Sequence, residues 1–238
     1  MRIAEFICGE LHKTTIYGRL ISVFSLLEVR MNSVNVPDII VSRLPVYLRA
    51  LQYMAASGNT TTSSQELGEK VGISAAQIRK DLSQFGEFGK QGTGYHIPFL
   101  IDRLLQILKV ERVWDVVLVG MGELGHAILR YQGFVNRGFR IIACYDSSPA
   151  KIGTVVGPYT IGNVNNIVKD LQGSSIRMAM LCVPATVAQD VTDKLVEAGV
   201  NGILNYAPVS LTVPHNVRLQ YIDPVIGLQR MAYYLTDK

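Results

Sequence analysis

The sequence predicts an α/β protein. It has an N-terminal winged helix-turn-helix domain and a C-terminal doubly wound, mostly parallel sheet of the Rossmann type. Three observations predict this. Two helix starts with capping residues, Ser63-x-x-Glu66 and Ser74-x-x-Gln77, follow one another across Gly72. An apolar run beginning at Asp115 ends in Gly120-Met-Gly122-Glu-Leu-Gly125 and leads into a helical stretch. From there to the C-terminus, strand-like and helix-like segments alternate.

Composition bounds the possibilities. The 238 residues are 48% hydrophobic and 18% charged, which excludes a disordered chain and supplies a core for one to two domains. The formal charge of +4 permits a polyanionic partner without requiring one. Cys8, Cys144 and Cys182 lie far apart with no CxxC, which argues against a disulfide framework or zinc ribbon and suits a reducing cytoplasm. His12, His96, His126 and His215 form no HExxH, so no metal is expected. The densest early apolar stretch, residues 20–29, carries Ser22, Ser25 and Glu28 and is about half the length of a membrane span. It also makes a poor secretory signal, so a cytoplasmic protein without a membrane partner is expected. Residues 1–35 are read as an extension of unknown role, either a short extra helix or translated upstream sequence with the start at Met31.

Residues 36–97 read as the winged helix domain. Ile39, Ile40, Leu44, Tyr47, Leu48 and Leu51 form an amphipathic stripe, interrupted one turn in by Pro45. Gly58-Asn59 and the threonine and serine run after it break the pattern. The two capped helices follow. The second, residues 75–85, turns Ile78 and Leu82 inward and leaves Gln77, Lys80, Ser83 and Gln84 outside, with Arg79 at the edge. Amides and cations there suit base edges and phosphates, so Ser74, Gln77, Arg79, Lys80 and Ser83 are candidate DNA contacts. Gly86, Gly89, Gly92 and Gly94 punctuate a hairpin-like wing, which adds Lys90 at its tip and Tyr95. Six cations face five anions across 36–97, so a lone copy would bind DNA weakly. Two copies on a two-fold axis would read a palindrome.

Residues 98–111 are read as a linker helix and 112–222 as the nucleotide-binding domain. Gly120 makes the tight turn, Gly122 admits a pyrophosphate, and Gly125 lets helix and strand pack. Met121, Glu123 and Leu124 complete the loop, and the helix start supplies N–H groups and positive dipole. A second strand, 139–145, ends at Asp146, 21 residues past Gly125. A carboxylate there accepts from ribose hydroxyls and repels a 2′-phosphate, favouring NAD and NADH, with Lys151 nearby. Further strands are expected at 177–182, 202–206 and 217–222, with a helix at 185–198. Val183-Pro184 and Asn205 follow strand ends and would border the cofactor. Residues 223–238 form a last helix with Val225, Leu228, Met231, Ala232 and Leu235 on one face, apolar surface that could cap its own domain or bury against a second subunit.

The 127 residues from Arg112 onward hold one nucleotide-binding unit and no acid–base dyad. His126 reads as a packed or solvated side chain. A cofactor site fused to a DNA-reading domain, with no catalytic residues, points to a gene regulator that measures the cofactor. The alternative is a small NAD(H)-dependent oxidoreductase with a helical dimerisation module. Arg79-Lys-Asp-Leu-Ser-Gln-Phe-Gly-Glu-Phe-Gly-Lys-Gln-Gly-Thr-Gly-Tyr95, Val119-Gly-Met-Gly-Glu-Leu-Gly125, Leu204-Asn-Tyr-Ala-Pro208 and Asp223…Leu228-Gln…Tyr233-Tyr-Leu235 resemble the Rex redox-sensing transcriptional repressors. The resemblance covers about residues 36–235. It implies a non-enzymatic homodimer that binds a palindromic operator in double-stranded DNA and releases it on binding NADH. It also implies a domain-swapped C-terminal helix, and a coupling set of Arg49, Tyr131 near the nicotinamide, and Asp223.

Overall fold

The computed structural model describes residues 36–89 and 94–235. The 1–35 extension and Lys90 lie outside the described residues. The chain divides into two compact units at Lys109/Val110.

In the first unit the apolar stripe is split between α1 (Asp38–Val41) and α2 (Leu44–Ala56). Pro45 sits in the first turn of α2, where an N–H has no helical partner anyway, so it starts a helix rather than kinking one. Helix α2 buries Leu44, Tyr47, Leu48, Leu51 and Met54. Helix α3 (Ser64–Val71) begins with a complete capping box. The Ser63 hydroxyl accepts from Glu66 N at 3.0 Å, and Ser63 N donates to the Glu66 carboxylate at 2.8 Å. Gly72 turns the chain at φ +71° into α4 (Ala75–Ser83), which is capped by Ser74.

Three expectations need correction in this unit. The second capping box forms only by half. Gln77 N donates to Ser74 Oγ, but the Gln77 side chain donates to Asp81 instead, a buried carboxylate being the stronger acceptor. The threonine run read as a break contains β1 (Thr61–Thr62), which pairs antiparallel with β2 (Tyr95–His96). The wing strand thus finds its partner before the helix-turn-helix. A Cβ on Gly89 would press against the Gly94 carbonyl, so these two glycines lie close together. The helix expected to link the domains, α5 (Ile97–Ile107), packs on α2. It buries Ile97, Leu100 and Leu104, because its apolar face completes this core.

The second unit is a seven-stranded sheet. Its strands are β3 (Trp114–Val119), β4 (Phe139–Asp146), β5 (Val155–Val156), β6 (Tyr159–Asn163), β7 (Met178–Leu181), β8 (Gly202–Asn205) and β9 (Arg218–Tyr221), in spatial order β5-β6-β4-β3-β7-β8-β9. Every pairing is parallel except the edge hairpin β5–β6. Along β3, Val117 and Val119 join one core while Val116 and Leu118 join the other. The first core packs under α7 (Ile167–Leu171) and α8 (Ala185–Glu197), the second under α6 (Glu123–Arg130). Helices therefore cover both faces. The strand order reverses between β3 and β7, which opens a crevice at their carboxyl ends. The last helix, α9 (Pro224–Ala232), buries none of its residues within the chain.

Candidate functional site

A cleft of about 650 Å³ opens at that crevice. The turn after β3 contributes Gly120, Gly122, Glu123 and Leu124, the loop after β4 contributes Asp146 and Lys151, and the end of β7 contributes Val183 and Pro184. Eight sequence-predicted residues thus converge there.

The three glycines of the turn have different causes. Gly120 adopts φ +98°, and a Cβ on it would fall on the Cys182 carbonyl. A Cβ on Gly125 would fall on the Gly120 carbonyl, so the close approach of helix to strand requires glycine there. Gly122 is different. Its φ of −82° is open to any residue, and a Cβ on it would meet nothing within 4 Å. The protein's own packing does not demand glycine at 122; the open ground in front of it is the cleft. Helix α6 starts at this point with no side-chain cap, leaving its first N–H groups to bind an anion.

Asp146 is buried, and its first task is to hold the site together. Its Oδ2 accepts from Met121 N at 2.8 Å and from Lys151 Nζ at 3.2 Å; its Oδ1 accepts from Ser148 N at 2.8 Å. Burial pushes its carboxyl up, but the N–H bonds from Ser148 and Met121 and the Lys151 ammonium outweigh this and hold it below the usual carboxylate range. One acceptor position on Oδ1 is left for a ribose hydroxyl. The open face at Gly122, the uncapped helix and this carboxylate fit the adenosine diphosphate half of a dinucleotide. Cys182 also lines the cleft, with its thiol pushed up to about 12 by burial, so it stays protonated.

Other predicted residues stand apart from the cleft. Met121 is fully buried and contributes only its backbone N–H. Tyr131 caps the far end of α6; its hydroxyl accepts from Arg137 at 2.8 Å and its ring packs on Phe134. Asn205, expected to border the cofactor, is not among the residues that line the cleft. It is 1% exposed, its amide nitrogen donates to the Ala207 and Val209 carbonyls, and its oxygen accepts from Ala207 N, so its side chain braces the turn after β8. Asp223 caps α9 by accepting from Val225 N at 2.8 Å, and Pro224 occupies the first turn where proline is favoured. Sequence reading missed Asn165, Asp190 and Lys194 on the cleft wall. The i, i+4 spacing of Asp190 and Lys194 on the helix after the switch point was their one legible signal.

In the first unit, Arg79 and Lys80 are exposed on α4, and Arg79 donates to Ser64 Oγ at 2.8 Å. The Ser83 hydroxyl donates to the Lys80 carbonyl. Tyr95 is half-buried; burial pushes its phenol up, opposed by the nearby Arg79 charge. Arg49 is exposed on α2. Asp81, which sequence reading passed over, is fully buried beneath Gln77 and receives Arg43, Tyr47 and Gln77. Among the described residues no helix is long and apolar enough to cross a membrane, and no group of three or more histidine, cysteine or acidic side chains could hold a metal.

Two family models match the chain. The "CoA binding domain" covers residues 111–209, and the "Putative DNA-binding protein N-terminus" covers residues 35–83. The redox-sensing transcriptional repressor Rex of Roseiflexus sp. (strain RS-1) is 50% identical over 199 residues, 84% of this chain and 90% of the relative. Among solved structures, RSP in complex with beta-NADH matches with a TM-score of 0.77 and 32% identity, over 84% of this chain and 93% of that one. RSP in complex with beta-NAD+ and operator DNA matches with a TM-score of 0.79 and 34% identity, over 84% of this chain and 92% of that one.

Proposed function

The chain belongs to the Rex family of redox-sensing transcriptional repressors, and from that premise we propose that it represses transcription in the cytoplasm by binding a palindromic operator, with NADH in the cleft releasing the DNA. The observation that carries this is Gly122. It is a glycine that the fold does not require, at an uncapped helix start, in the same chain as a helix-turn-helix. Gly122, Glu123 and Leu124 take the diphosphate on their backbone, and Asp146 and Lys151 take the adenosine ribose. Coenzyme A and NAD share adenosine diphosphate, but the Asp146 carboxylate disfavours the extra ribose phosphate of coenzyme A. The two redox forms of the cofactor differ by one positive charge on the nicotinamide ring, and an apolar enclosure discriminates against the charged form. The two RSP complexes agree in direction, since it is the oxidised form that accompanies operator DNA.

The reading is of a regulator and not an enzyme. Asp146 is engaged in bracing the loop, Lys194 donates to Asn165, and Cys182 is held as a thiol. Residues 36–97 grip DNA, 112–222 bind the dinucleotide, and 223–238 join two copies. The bare apolar face of α9, with Val225, Ile226, Leu228 and Met231 each more than half exposed, is buried in a homodimer. In this reading Arg49, Tyr131 and Asp223 couple the cofactor to the DNA-binding heads. The deciding experiment is a gel-shift titration of the full chain on a labelled duplex selected from a random library. Added NADH should free the duplex while added NAD⁺ should not; a duplex held equally under both would refute the proposal.

A further inference from the structure

Asp81 is completely buried, and a carboxylate placed there needs a partner for every lone pair. It has them. Oδ1 accepts from Arg43 Nη2 at 2.7 Å and from Gln77 Nε2 at 2.7 Å; Oδ2 accepts from Arg43 Nε at 2.6 Å and from the Tyr47 hydroxyl at 2.7 Å. Two oxygens with two acceptor positions each are thereby filled. Three of the four bonds come from Arg43 and Tyr47, at and just inside the start of α2, and fix the carboxylate from the body of the unit. The fourth reaches Gln77, half-exposed in the first turn of α4. The Gln77 amide cannot turn over. That would set its oxygen against the carboxylate and leave a buried lone pair unmet. Its Oε1 accepts no hydrogen bond from the described residues.

We propose that Asp81 is a positioning residue that sets base specificity: it locks the Gln77 amide so that α4 offers a hydrogen-bond acceptor to the major groove and selects an exocyclic amino group. The inference rests on reading the first unit as DNA-binding. In the major groove adenine N6 and cytosine N4 donate, while guanine O6 and thymine O4 accept. A free glutamine grips adenine through both its oxygen and its nitrogen. Gln77 has one N–H committed to Asp81 and one left over; with its amide held in this turn, Oε1 is the group that separates amino bases from keto bases at one position of each half-site.

The test uses the full chain and a duplex selected from a randomised library, with each position then changed to all four base pairs. The wild-type chain should favour adenine or cytosine over guanine or thymine by about tenfold at one position per half-site. Gln77→Ala removes the acceptor but leaves Arg43, Tyr47 and Asp81 paired, so it should level the four bases at that position and keep the preferences elsewhere. Asp81→Asn can donate to the Gln77 oxygen and free its N–H, so it should level or invert the same position. Tyr47→Phe acts on the other carboxylate oxygen; it should lower stability and leave the preference profile unchanged. A wild-type profile in Gln77→Ala, or a loss spread evenly over all positions, overturns the inference while leaving DNA binding standing. A wild-type chain with no base preference anywhere removes the DNA-binding reading as well. Should Asp81→Asn fail to fold, the contrast between Gln77→Ala and Tyr47→Phe decides.

Discussion

Gly122 and Gly125 belong to one short motif and yet answer to different constraints. At Gly125 a methyl would strike the Gly120 carbonyl, so the helix would have to move off its strand. At Gly122 a methyl would touch nothing in the protein, and the backbone is already in a conformation open to alanine. Gly125→Ala is therefore expected to cost about 1–3 kcal/mol of stability, in the range of overpacked interiors. Gly122→Ala should stay within about 0.5 kcal/mol of wild type but lose at least about tenfold in NADH affinity. Denaturant midpoints and an NADH fluorescence titration measure the two quantities separately. An alanine at 122 that binds NADH normally would show that the open ground there is not where the phosphates lie. The spacing alone does not separate these two roles. Gly122 is told from Gly125 only by what stands in front of each.

At the scale of elements, most of the fold could be read from pattern. The helices that carry caps and a clear apolar face stood where periodicity placed them, as did the strands that are buried on both faces. What could not be read was short or shared between segments. Strand β6 fully buries only Ile161, the hairpin leading to it turns on Gly157, and α7 spans five residues, too few for a helical period to register. Strand β1 is two threonines, whose role exists only because Tyr95 and His96 return beside them. Asp81 was illegible for a related reason. An acid on the inward face of α4 looks like a surface residue until Arg43 and Tyr47 are brought to it from α2. That junction has a measurable signature. Burial pushes the Asp81 carboxyl up, but the bonds from Arg43, Tyr47 and Gln77 prevail and hold it below its ordinary value. A lowered folded pKa gives stability that is complete above the unfolded value of about 3.9 and is lost as pH falls through the folded value. Asp81→Asn should therefore be less stable than wild type by about 3 kcal/mol near neutral pH, and that gap should close as the pH drops below about 4. Denaturant unfolding across pH tests this; a gap that stays constant into strong acid would mean that the Asp81 charge contributes nothing.

At the scale of the whole molecule, α9 is the element whose sequence and surroundings disagree. Its residues have the spacing of a packed helix, yet Leu228 is 59% exposed and Met231 56% exposed. Apolar area left in water forgoes about 25 cal/mol per Å², so a second copy that covers this face gains substantially. In the proposed dimer two copies would also bring two α4 helices to one duplex, adding to the weak hold expected of a single, weakly cationic unit. If the same pairing is what the cofactor biases, coupling must run both ways: whatever factor NADH takes from operator affinity, operator must take from NADH affinity. Replacing Leu228 and Met231 together by glutamate sets like charges into the covered face. The variant should run as a monomer in sedimentation, keep its NADH affinity, and lose the palindromic duplex. In the wild-type chain, saturating operator should weaken NADH by the same factor by which NADH weakens operator, read by titrating each ligand in the presence of the other. Equality follows from linkage wherever the coupling runs, so what the titrations measure is the size of the common factor. A common factor near one would mean that the cofactor does not bias operator binding, and a glutamate variant that stays dimeric or keeps the duplex would mean that α9 is not the pairing surface.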